Sequence, residues 1–162
     1  MKPAVVLALA LVFALLIAVP ASAAPPVVET GGMDMDYVAF DPSPCPGIEI
    51  RDHEVLTYRM TFFSDNQGNP VRTQIHIEGT DKFYNPANPD VVLSGHFVAN
   101  FDINELTGEQ SEHGVPYHIT VPGYGTVLLR AGLWDFDGHT AGKDSLLDPQ
   151  DMEQFCSLLA GD

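Results

Sequence analysis

The chain has 162 residues, with 7 basic against 22 acidic side chains, a formal net charge of −15, and 45% hydrophobic residues. That length and composition support one domain with a sizeable core. The acidic field repels phosphate backbones and anionic lipid surfaces, which excludes nucleic acid as a natural partner and makes cations the natural counter-ligands.

At the start, Lys2 precedes an apolar run from Ala4 to Val19, followed by Pro20 and then Ala21-Ser22-Ala23. This is the charge, apolar segment and small-residue cleavage site of a secretory signal. The run is 16 residues long, shorter than the roughly 20 a helix needs to cross a bilayer. No cysteine follows it to carry a lipid, so the expectation is cleavage after Ala23 and an exported product with no stable membrane anchor. Cleavage leaves 22 acidic against 6 basic side chains, a net charge of −16. Residues 1–23 are thus read as a signal peptide, 24–44 as a flexible N-terminal segment and 45–162 as a single domain. The Gly31–Asp36 stretch, GGMDMD, is read within the flexible segment as a mobile tail rather than a metal site.

The body of the chain has a period of two. Strands are expected at Ile48–Asp52 and Leu56–Phe63. Next, Val71, Thr73, Ile75 and Ile77 alternate with Arg72, Gln74, His76 and Glu78. Leu93, Gly95, Phe97, Ala99, Phe101 and Ile103 then alternate with Ser94, His96, Val98, Asn100 and Asp102. Such alternation marks half-buried antiparallel strands. Two more are expected at Val115–Val121 and Thr126–Phe136, and SDNQGNP, YNPANPD, LTGEQSEHG and VPGYG supply the turns between strands. About seven to eight short strands joined as hairpins predict a mainly β fold, a small antiparallel barrel that leaves no exposed edge, with a sandwich as the alternative. If residues 80–90 close a hairpin, Ile77 meets Leu93 and Ile75 meets Gly95. The following hairpin then places Ile119 beside Phe101 and His118 opposite Asp102. The core face would hold Leu93, Phe97, Phe101, Ile75, Ile77 and Ile119.

Toward the C-terminus, Asp148 caps a predicted helix beginning at Pro149, with Met152, Phe155, Cys156 and Leu159 at i, i+3, i+4 and i+7 on one apolar face. Cys45 and Cys156 are the only two cysteines. In an exported chain such a pair is read first as a disulfide, here between the segment entering the first strand and the terminal helix, with a metal site or reactive thiol as the alternative.

The stretches FDINELTGE, VPGYGTVLLRAGLWDFDG and FCSLLAGD, with Cys45 soon after the export signal, resemble a group of small secreted bacterial β-rich proteins. In that group a Thr-Gly hairpin, a Pro-Gly turn and a late C-terminal cysteine recur. The resemblance implies an exported β-rich domain and carries over no catalytic residue.

The segment WDFDGHTAGKD sets aspartates at alternate positions, as a calcium loop does. Counted from Asp135, however, Gly138 is fourth and Leu146 twelfth, where an EF-hand needs Gly sixth and Glu twelfth. DINELTGEQSEH fails in the same way. Asp137-Gly138 after a hydrophobic strand is a hairpin signal.

Nucleophilic catalysis has no candidate, since G-x-S-x-G is absent and both cysteines are assigned. The sequence points to no cofactor and no metal set. His76, His96 and His118 fall on polar strand faces near Glu78 and Asp102, where a carboxylate beside a histidine can orient a general base. The leading expectation is a secreted non-enzymatic domain that binds a small apolar ligand, lined by Phe97, Phe101, Ile75 and Ile119, or a protein partner. The alternatives are an isomerase- or cyclase-type barrel enzyme using His118 and Asp102, with His96 as a further candidate, and an extracellular divalent-cation binder.

Overall fold

A computed structural model describes residues 24–135 and 138–161, without the side chains of residues 138–140. The signal-peptide reading therefore lies outside the described residues. One antiparallel sheet of seven strands carries the chain: β1 Val27–Val38, β2 Arg51–Ser64, β3 Pro70–Asn85, β4 Asn88–Asn104, β5 Gln110–Val121, β6 Gly125–Asp135 and β7 Gly138–Asp144. Spatial order equals chain order, with β1 and β7 at the edges. Among the described residues no ladder joins those edges, so the sheet is open and closure into a barrel is not observed.

Two expectations are corrected. The segment read as flexible contributes β1, paired with β2 without a break from Val27↔Phe62 to Val38↔Arg51. Its alternation of Met33, Met35 and Tyr37 with Asp34 and Asp36 is a strand pattern that the flanking glycines obscure. The second correction is register. β3 runs on to Asn85 and turns at once, with Asn85 opposite Asn88. Ile77 therefore pairs with Ala99, Ile75 with Phe101 and Phe83 with Leu93. The shift is an even number of residues, so every side chain keeps its expected face.

The inner face is half covered. Helix α1, Pro149–Ala160, starts at Asp148, whose side chain accepts from Gln150 N and Asp151 N, and ends at Gly161 in the left-handed conformation with φ 85°. It lays Met152, Phe155 and Leu159 against Ile50, Phe83, Leu93, Ile119 and Leu128. Cys45 and Cys156 form the expected disulfide, with Cα atoms 5.4 Å apart across 111 residues of sequence. It ties the 39–50 segment and the helix over this end of the sheet. Phe83 is the hub, stacked on Phe40 and edge-on to Tyr117 and Phe155. No helix among the described residues is long and apolar enough to cross a membrane.

Beyond the helix the inner face continues as Tyr58, Met60, Ile75, Ile77 and Phe101, all half-buried. Between the two halves neighbouring backbones approach closely at two glycines. A Cβ on Gly79 would lie 2.4 Å from Val55 O, and one on Gly95 2.3 Å from His118 O, so only glycine permits the approach.

Candidate functional site

Three carboxylates sit at the boundary between the covered and uncovered halves. Asp52 and Glu54 on β2 and Asp81 on β3 share the inner face, and one oxygen from each lies within 4.8 Å of the others. Period two brings them together: Asp52 and Glu54 are in phase with Ile50 and Leu56, and Asp81 is in phase with Gly79 and Phe83. Gly95 faces Asp81 across the β3–β4 ladder.

Burial makes this cluster chemically distinct. Asp52 is 1% exposed and Asp81 2% exposed. Asp52 Oδ1 accepts the Lys82 backbone N–H at 3.1 Å. Tyr37 donates its hydroxyl to Glu54 Oε2 at 2.8 Å and reaches Asp52 Oδ2 at 3.4 Å. Asp81 Oδ2 has no donor from any described residue. A buried carboxylate without a donor is costly, so the oxygen must hold a proton or meet a cation.

The proton levels follow from this. Burial pushes the Asp81 carboxyl up to about 8, and the adjacent charges of Asp52 and Glu54 add to the effect. Burial also raises Asp52, to about 6, opposed by the Lys82 N–H and by a hydrogen bond with Asp81. Both carboxyls of this adjoining pair are thus held above the ordinary carboxylate range, which favours a proton shared between them, and the donor-free Asp81 is raised the further. Burial lifts the Tyr37 hydroxyl well above its usual range, helped by its bond to Glu54. Burial and the charge of Asp81 push Tyr117 up to about 12. Both phenols remain donors.

The histidines are placed elsewhere. His118 is exposed, opposite Leu129, while Asp102 lies opposite Ser111 and is ion-paired with Arg72. The expected His118–Asp102 juxtaposition is therefore replaced, because β5 begins at Gln110 and pairs Ile119 with Gly95 instead of Phe101. His96 is exposed on the outer face opposite Thr80. The four residues expected to line a ligand site divide. Ile119 is fully buried in the helix-covered core and Phe97 is 4% exposed. Ile75 and Phe101 face each other on the uncovered part.

Asp52, Glu54 and Asp81 are also the described residues that could hold a divalent cation, all three offering the hard oxygen donors that calcium or magnesium takes. Sequence reading missed them because a polar residue at an inward position reads as a loop. The available signal was Thr80-Asp81-Lys82-Phe83, where Asp81 and Phe83 keep the phase of Ile75 and Ile77.

No protein-family model matches the chain, and no curated protein or solved structure shows significant similarity to it.

Proposed function

We propose that the chain is an exported ligand-binding β protein whose inner face catalyses proton transfer on a small apolar molecule, an isomerisation or cyclisation needing no redox group. Asp81 is the acid and Asp52 the base. One observation carries this reading: two adjacent carboxylates, each at most 2% exposed, share a hydrogen bond, and burial raises both, Asp81 the further. Paired carboxyls with separated proton affinities are the arrangement that acid–base chemistry at pH 7 requires. The half-buried apolar surface of Met60, Ile75, Ile77 and Phe101 continues from the cluster and supplies a bed for an apolar ligand. The chemistry thereby moves from His118 and Asp102 to the inner carboxylates, and a closed barrel is not needed for it.

The test has two parts. Carboxyl ¹³C NMR should show one proton on the Asp52–Asp81 pair at pH 7, and two ionised carboxylates there would end the reading. Exchange of the α-protons of an enolisable ketone such as 2-tetralone in D₂O should be accelerated, lost in Asp81→Asn and Asp52→Asn, and kept in His118→Ala.

A second reading has its own support in the three converging oxygens and the donor-free Asp81 Oδ2. A divalent cation would take the place of the shared proton, and its binding would release that proton. Proton release on calcium addition at pH 7, with micromolar affinity, would favour a cation site over the acid–base pair.

A further inference from the structure

The opposite face of the sheet carries a second feature that the inner carboxylates do not explain. Arg59 on β2 pairs with His76 on β3, His76 with Asn100 on β4, and Asn100 with His113 on β5. These four side chains form one straight row across four strands, about 14 Å long at the usual strand spacing. The row lines an outer-face groove of about 420 Å³ with Phe63 and Gln74 beside it, within the range of small-ligand sites.

Two details separate this row from an ordinary solvated face. The first is charge. In this acidic chain Arg51, Arg72, Arg130 and Lys143 each have a carboxylate partner. Arg59, like Lys82, has no ion-pair partner among the described residues, and the cross-strand neighbours of Arg59 are Thr30 and His76. A guanidinium presents a planar fork of donors suited to one carboxylate. The second is order. Asn100 Nδ2 donates to the His113 carbonyl at 3.3 Å, which leaves Asn100 Oδ1 to accept from His76 Nδ1 at 2.8 Å. The centre of the row is held by side-chain hydrogen bonds.

The geometry points to a second binding site here, for an acidic saccharide whose carboxylate is taken by Arg59 and whose hydroxyls are taken by Gln74, Asn100 and His113. Amide and imidazole groups both donate and accept, as hydroxyl-rich ligands require. Phe63 adds an apolar ring, with the Arg72 guanidinium 5.8 Å from its centroid and Arg72 itself neutralised by Asp102. The site lies on the face opposite the carboxylate cluster, so it stands or falls separately from the proton-transfer reading.

The test is a ¹H–¹⁵N NMR titration of the folded chain with tri-galacturonate, against maltotriose as the neutral sugar. Saturable shifts confined to outer-face residues of β2–β5 are expected. Affinity should fall about tenfold or more for maltotriose and for Arg59→Ala, the loss expected for one charge-assisted bidentate contact. Arg59 is exposed, and Arg59→Lys should retain part of the binding. Asn100→Ala, checked as folded by its amide spectrum, should weaken binding by breaking the row. Absence of saturable shifts, equal affinity for maltotriose, or binding unchanged in Arg59→Ala would each overturn the proposal.

Discussion

Asp52 and Asp81 lie on adjacent strands with 1% and 2% of their surfaces exposed, and Asp52 receives a backbone N–H while Asp81 Oδ2 receives no donor from any described residue. That asymmetry raises Asp81 further than Asp52. It also predicts how stability depends on pH. Both carboxyls are raised from an ordinary value of 3.8, Asp52 to about 6 and Asp81 to about 8. A group whose folded pKa is raised favours the folded state while protonated, so its contribution is complete below about pH 4 and is lost as pH rises through 6 and then 8. Other carboxylates move the opposite way: Arg72 holds Asp102 below its ordinary value. The pair's contribution is therefore read by difference. Asp81→Asn should be more stable than the parent above pH 8 by on the order of 1–3 kcal/mol, with the gap closing toward pH 5. Denaturant unfolding at four pH values checks it, and a gap independent of pH would refute the assignment.

The disulfide gives a second prediction. Cys45–Cys156 spans 111 residues, and on the chain-entropy account closing such a loop stabilises by about 4–5 kcal/mol. Reduction, or Cys45→Ser with Cys156→Ser, should lower Tm by on the order of 10 °C. Calorimetry with and without reductant measures it. A change of under 2 °C would mean that helix α1 docks without the tether.

The two halves of the inner face should respond differently to truncation. Phe83 is fully buried and touches Phe40, Tyr117 and Phe155, so Phe83→Ala should cost about 3–5 kcal/mol. Phe101 is half-buried on the uncovered part, and Phe101→Ala should cost about 1–2 kcal/mol, since less surface leaves water there. Equal losses would show that the uncovered half is filled by something other than solvent or ligand.

Much of this architecture was legible in the residues. The capped helix, its buried face, the disulfide and the inward phase of Ile75, Ile77, Leu93, Phe97, Phe101 and Ile119 all follow from periodicity and capping chemistry. Registers were not legible, because alternation fixes the face of a strand and leaves its pairing free by two residues at a time. Periodicity alone ends β3 several residues before the turn at Asn85–Asn88, because Asp81 breaks the hydrophobic alternation. That break is the site itself, an inward carboxylate kept against the local rule. The histidines misled for the converse reason: polar residues on an outer face satisfy the pattern, and the pattern carries no information about whether they meet.

The last prediction concerns Glu54, the half-buried edge of the carboxylate cluster. Its charge is one of the causes that raise both Asp52 and Asp81, after burial in each case. Glu54 also accepts the Tyr37 hydroxyl at 2.8 Å, a bond that an amide oxygen can still accept. Glu54→Gln therefore removes one negative charge while keeping the shape and the tyrosine contact. A lost negative neighbour makes ionisation easier, so the midpoints of both aspartates should move down, toward but not reaching 3.8, because burial remains. The shared proton would then leave at lower pH. In the proton-transfer reading, the alkaline limb of the pH–rate profile, set by Asp81 acting as the acid, moves down with it. Carboxyl ¹³C titration of the parent and of Glu54→Gln measures the midpoints directly, and Asp102, on the outer face, serves as the internal control that should not move. An unchanged Asp81 midpoint, or an upward one, would show that Glu54 does not act on the pair and would remove it from the site.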